Sequence, residues 1–115
     1  MYGSISDLEG ILPWKFTNVS RPTLGQVESM MDRHSATIDS VLASKGITVP
    51  IESVNSRAYK FCTQFVLYKT AAEVLRYRAL ETNDSSALNL SQFYEQLAAQ
   101  LLEQATKEPQ VFVGS

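Results

Sequence analysis

The residues of this chain that could take part in chemistry are few and lie far apart. Its only histidine, His34, and its only cysteine, Cys62, both fall inside apolar helical patterns. A catalytic site needs a nucleophile, a base and a group that orients the base. Asp32 and Ser35 are near His34 in sequence but point to other faces of a helix. We rank three interpretations of His34. The favoured one is a histidine of the core or its boundary, the next is a pH-sensitive interface, and the last is a general base.

The remaining reactive groups give no pattern typical of an enzyme. Cys62 lies between Phe61 and Phe65 on an apolar stripe, which favours a buried structural thiol over a reactive one. One cysteine and one histidine cannot supply the four ligands of a zinc site. Glu28 and Asp32 are four residues apart, a spacing that exposed acids on a solvated helix face explain. No calcium-loop or phosphate-loop spacing occurs, so we expect no enzymatic activity, no metal and no cofactor.

Composition limits the class of protein. The chain has 115 residues, of which 44% are apolar, enough for one domain with a real core and too apolar for a disordered chain. A single cysteine cannot form an internal disulfide, which favours a reducing compartment. No run approaches eighteen apolar residues and no basic signal-peptide start is present, so we expect no membrane partner. The net charge of -2 argues against a protein that wraps nucleic acid.

Prolines and glycines lie at the edges of segments with helical patterns. Thr23 and Gln26 match a capping box, and Gly46 supplies the stop of the helix that follows. Residues 51–108 contain neither proline nor glycine, which predicts two helices with a turn near residues 83–86. The sequence therefore predicts an all-α fold, an elongated bundle of three main helices at about 24–45, 57–81 and 89–107, with a short N-terminal helix and irregular connecting loops.

The helix predicted at 57–81 is apolar on two faces. Lys69 and Arg76 fall near the centre of its main stripe, so they must extend to solvent or find carboxylates. A helix that packs on one side needs only one stripe, so we expect the second ridge to contact another subunit. The residues of this candidate interface are Tyr59, Val66, Val74 and Tyr77.

Charge is distributed unevenly along the chain. Residues 57–78 hold five basic residues and one acidic residue, a net charge of +4 that leaves -6 for the rest. We expect these basic residues to contact acidic surfaces of the bundle or of a neighbouring subunit rather than to form a nucleic-acid-binding groove, because they do not lie along a single stripe of the helix. The candidate electrostatic contacts are Arg57, Lys60 and Arg78.

We expect one helical domain over residues 1–108, followed by an apolar tail over 109–115. Val111, Phe112 and Val113 have a strand-like composition. One interpretation is a frayed end or a strand folded onto its own bundle. The other is an arm that docks on a partner protein, and these three residues are then the candidate docking tail.

Four segments carry a resemblance to a known family. Residues 2–8 (YGSISDL) open the chain, residues 23–28 (TLGQVE) start the second helix, and residues 35–42 (SATIDSVL) lead into residues 46–50 (GITVP). This order resembles the small α-helical head–tail connector, or adaptor, proteins of tailed bacteriophages and prophages, over about residues 1–80. The tightest matches are Ile38, Asp39, Leu42, Gly46 and Pro50.

The resemblance implies a virion protein without enzymatic activity, made in the host bacterial cytoplasm. Its copies would form a dodecameric homo-oligomeric ring beneath the portal protein at the capsid vertex. That ring would extend the DNA channel, with DNA passing through without sequence-specific recognition, and carry the stopper or tail-completion protein. The alternative from the residues alone is a small helical regulatory or nucleic-acid-binding module that uses the basic helix 57–78.

Overall fold

The computed structural model describes residues 2–108, which form four helices: α1 (Ile5–Glu9), α2 (Leu24–Ser44), α3 (Arg57–Thr82) and α4 (Ser85–Lys107). That part of the chain contains no strand, so the predicted all-α class is confirmed. The molecule extends 44 Å along its longest axis and 25 and 20 Å along the others, which agrees with the elongated bundle expected.

Side-chain caps set the ends of the helices. The capping box at Thr23 is confirmed: its hydroxyl accepts a hydrogen bond from the Gln26 N–H, and the Gln26 side chain accepts one from the Thr23 N–H. α4 begins at Ser85, four residues before the predicted start, because the Asp84 carboxylate accepts two backbone N–H bonds of the first turn. Asn83, with a left-handed φ of 54°, ends α3.

α3 and α4 pack side by side along a seam of mostly small side chains. The Ser91 hydroxyl donates a hydrogen bond of 2.7 Å to the Ala72 carbonyl oxygen across this seam, and this bond fixes the register of the antiparallel pair. Ala98 then lies opposite Phe65, so a small side chain of one helix faces a large one of the other. The seam consists of buried residues spaced by seven: Ala58, Phe65, Ala72 and Ala79 on α3, and Ser91, Ala98 and Ala105 on α4.

The chain itself covers the second apolar ridge of α3. Val66 and Val74 have no exposed surface, because α2 and the segment before it pack against α3 in one core. This corrects the expectation that both valines contact another subunit. Leu12 and Phe16, in the segment between α1 and α2, are buried in the same core.

Tyr2 fastens the N-terminal segment to three other parts of the fold. Its backbone N–H donates to the Ser35 hydroxyl at 3.0 Å, and its phenol donates to the Asp39 carboxylate at 2.5 Å. The same phenol oxygen accepts the Ile51 N–H at 2.9 Å, and the ring meets the edge of Tyr59 at 5.4 Å. Burial, with the bond to Asp39, raises the pKa of Tyr2 far above its ordinary value.

The seam generates a test of the α3–α4 packing. Ala98→Leu places three extra carbon atoms opposite Phe65, so we expect it to lower the free energy of unfolding by about 1–3 kcal/mol. Ala99→Leu is the matched control, because Ala99 is exposed on the same helix turn and should change stability by less than about 0.5 kcal/mol. Urea denaturation measures both. Equal effects of the two substitutions would contradict a close-packed seam.

Candidate functional site

His34 forms a polar cluster between α2 and α3. Its Nε2 lies 2.8 Å from one carboxylate oxygen of Glu73, and Arg33 donates to the other oxygen, also at 2.8 Å. Burial is the main effect on His34 and lowers its pKa, although Glu73 opposes that shift. The imidazole is therefore neutral near pH 7, and its Nε2–H donates to the carboxylate, which can only accept.

This cluster lacks the parts of a catalytic site. Among residues 2–108, no hydroxyl or thiol is hydrogen-bonded to His34. Both oxygens of Glu73 are already bound, one to Arg33 and one to His34. The first interpretation of His34, as a histidine of the core or its boundary, agrees with its 8% exposure. The cluster joins two helices and presents no activated group to solvent.

Cys62 lies in the core beside Tyr2 and has no exposed surface. Burial, and then the negative charge of Asp39, raises the pKa of the Cys62 thiol to about 12. The thiolate is the nucleophilic form of cysteine. Cys62 is therefore unreactive in the folded protein, as the apolar stripe predicted.

Two basic residues of α3 hold α4 in place. Lys69 and Arg76 both pair with the carboxylate of Glu95, Lys69 through one oxygen and Arg76 through the other at 3.5 Å. The expectation that these two side chains find carboxylates is thus met within the chain. Their charges belong to the α3–α4 contact rather than to a free basic surface.

Of the three candidate electrostatic contacts, one binds another side chain of the described chain and two have no ion-pair partner there. Arg78 lies over the Trp14 ring, 4.1 Å from its centroid, in a cation–π contact. Arg57 and Lys60 are exposed, with no ion-pair partner within residues 2–108. The complete α3 also contains Glu81, so the helix carries +3 where residues 57–78 alone carry +4.

α4 exposes large apolar side chains. Leu90 is 41% exposed and Phe93 is 52% exposed, and Leu97 is half-buried. We call these three residues the α4 strip. The buried face of α4 consists of small residues instead. The sequence signal for this buried face was the spacing of small residues at intervals of seven, because only small side chains fit between two closely packed helices. These residues are Ser91, Ala98 and Ala105.

A groove of about 630 Å³ lies between α2 and α3. Tyr77 and Met30 line it together with the Arg33–Glu73 ion pair. A second hollow of about 450 Å³ shares Tyr77 and continues to Val19, which is 89% exposed. We call the two hollows the Tyr77 groove. Its uncharged polar lining consists of Asn18, Thr23, Gln26 and Ser29.

Tyr77, one of the four residues of the predicted interface, lines the groove between α2 and α3. Tyr59 is half-buried against Tyr2, while Val66 and Val74 belong to the core. The predicted docking tail, Val111 to Val113, lies outside the described residues.

Comparison of this chain with protein-family models, with curated protein sequences and with solved structures finds no match. Within residues 2–108, no helix combines the length and the hydropathy that spanning a bilayer requires. That same part of the chain holds no group of three His, Cys, Asp or Glu side chains placed to bind a metal ion.

The His34 cluster predicts how stability depends on pH. The folded protein holds the pKa of His34 below the ordinary value of 6.5. As the pH falls through 6.5, the unfolded chain therefore binds a proton at His34 more readily than the folded protein does. We expect the free energy of unfolding to be lower at about pH 5.5 than at about pH 7.5, with a smaller difference in His34→Gln. Urea denaturation at both pH values measures this. An equal pH dependence of the two proteins would contradict a neutral buried His34.

Proposed function

We propose that this chain is a structural head–tail connector of a tailed bacteriophage or prophage. Its copies form a ring, dodecameric as the resemblance implies, that joins the portal protein of the capsid to the stopper or tail-completion protein. The ring extends the channel through which DNA passes without being read. The observation that carries the proposal is the α4 strip, an apolar helix face that residues 2–108 leave exposed at Leu90 and Phe93.

The α4 strip supports an interaction protein over an enzyme. Exposed apolar surface that is continuous along a helix is typical of sites where another protein binds. The polar groups capable of chemistry are used inside the bundle: His34 and Glu73 join α2 to α3, and the Cys62 thiol is buried. The chain is therefore proposed to act through its surfaces, without enzymatic activity and without a cofactor.

The residues of the resemblance occupy positions that shape the bundle. Ile38 and Leu42 are fully buried on α2, and Asp39 beside them binds the Tyr2 phenol. Gly46 takes a φ of 82° where α2 ends, a conformation that residues with a side chain rarely adopt. The residues of the resemblance thus connect α2 to the following loop and to the N-terminal segment.

The alternative function, nucleic-acid binding by the basic helix 57–78, has less support. Three of its five basic residues are engaged in the chain, two with Glu95 and one with Trp14. Arg57 and Lys60 remain free among the described residues. Two free charges supply little of the phosphate neutralisation on which nucleic-acid affinity depends.

The proposal is tested by incubating the purified chain with portal rings from the same phage or prophage. We expect light scattering and electron microscopy to show a closed ring of copies seated on one end of the portal. A chain that stays unbound to the portal at high concentration would contradict the proposal. A parallel fluorescence titration with duplex DNA at low and moderate salt tests the alternative, which requires binding that falls steeply with salt.

A further inference from the structure

The α4 strip and the Tyr77 groove lie on opposite sides of the molecule. Phe93 and Glu95 are two residues apart on α4, so their side chains point about 160° apart around its axis. Glu95 binds Lys69 of α3, which lies four residues before the groove residue Glu73 on the same face of that helix. Glu95 therefore faces the side of the bundle that holds the groove, and Phe93 faces away from it.

The α4 strip is short enough to lie within the groove. Leu90 and Leu97 are seven residues apart, a rise of about 10 Å along α4. Gly25 and Arg33, the first and last α2 residues that line the larger hollow, are eight residues apart, a rise of about 12 Å. A ridge of side chains can therefore enter this groove on another helix pair.

The two surfaces also match in charge. From residue 86 to residue 102, α4 carries only one charged side chain, Glu95, on its far side. In the groove, Arg33 pairs with Glu73 at 2.8 Å, and Arg21 pairs with Glu81 at 3.5 Å. No like charges therefore oppose contact between the strip of one copy and the groove of another.

We propose that the α4 strip of one copy packs into the Tyr77 groove of the next copy, with Phe93 as its central side chain. Because the two surfaces differ and lie on opposite sides, this contact is head-to-tail and each copy can bind two neighbours. Such a contact closes a ring when the rotation between copies allows it. The inference rests on the proposed connector function and names the surfaces by which its ring assembles.

The size of the contact predicts weak association of two copies. A strip about 10 Å long covers less than the roughly 800 Å² per partner found in stable complexes. Pairs of copies therefore form only at high protein concentration. A closed ring is more stable than a pair, because each copy in it makes two such contacts simultaneously.

Sedimentation velocity over a concentration series tests the two surfaces. Phe93→Ser removes the central apolar side chain and Ser29→Arg obstructs the groove, and each should weaken self-association by at least about tenfold. Leu80→Ser and Ser40→Arg are the matched controls, since Leu80 is 74% exposed and Ser40 is exposed outside the groove. The controls should associate as the unaltered chain does, and circular dichroism verifies that all four variants fold. Unchanged association of Phe93→Ser or Ser29→Arg would overturn the proposal.

Cross-linking distinguishes this contact from a symmetric one. Gln100→Cys lies beside the strip and Ser29→Cys lies at the groove, whereas the native Cys62 is buried. With a short thiol cross-linker, we expect dimers that contain one copy of each variant. Dimers of Gln100→Cys with itself, or no cross-linked dimers at high concentration, would overturn the inference. A ring that assembles on the portal with Phe93→Ser as readily as with the unaltered chain would also overturn it while leaving the connector function intact.

Discussion

The fold depends on the way a single buried tyrosine joins parts of the chain that are distant in sequence. The Tyr2 phenol donates to Asp39 of α2 and accepts the Ile51 N–H of the following loop, while its ring packs on Tyr59 of α3. A phenol buried in this way must have its hydrogen bonds satisfied, since an unpaired buried hydroxyl costs about 1–3 kcal/mol. These bonds therefore hold the N-terminal segment in one position, and that position determines which surface of α3 is covered.

Within residues 2–108, the N-terminal segment and α2 cover the second apolar ridge of α3 at Val66 and Val74. Val66 and Val74 are enclosed, and α4 takes the remaining side through its seam of small residues. Close packing at Ala98 and Ser91 turns the larger side chains of α4 outward. Leu90 and Phe93 are exposed for this reason. The apolar strip proposed to contact other copies is thus a consequence of how the interior is filled. It lies on α4, whereas the groove proposed to receive it lies between α2 and α3.

Local signals in the sequence predicted the helices well, and non-local packing explains what they missed. The capping box at Thr23 depends on residues three apart, so the sequence alone located the start of α2. The burial of Val74 depends on core residues of α2 and the N-terminal segment that are distant in sequence, which helical periodicity cannot reveal. On α4, Leu90 and Ala98 both fit an apolar pattern, and only the register with α3 decides which faces inward. The Asp84 cap was a local signal that could have located the start of α4.

Hydrogen exchange of the Ile51 amide tests the role of Tyr2 most directly, because that amide donates to the phenol oxygen. In Tyr2→Phe, which keeps the ring and removes the hydroxyl, we expect exchange at Ile51 and in α1 to become at least about tenfold faster, with the α3–α4 seam unchanged. Tyr94→Phe is the control, since the Tyr94 ring is half-buried near Tyr68. Unchanged protection at Ile51 and in α1 would contradict the account that Tyr2 holds the N-terminal segment in place.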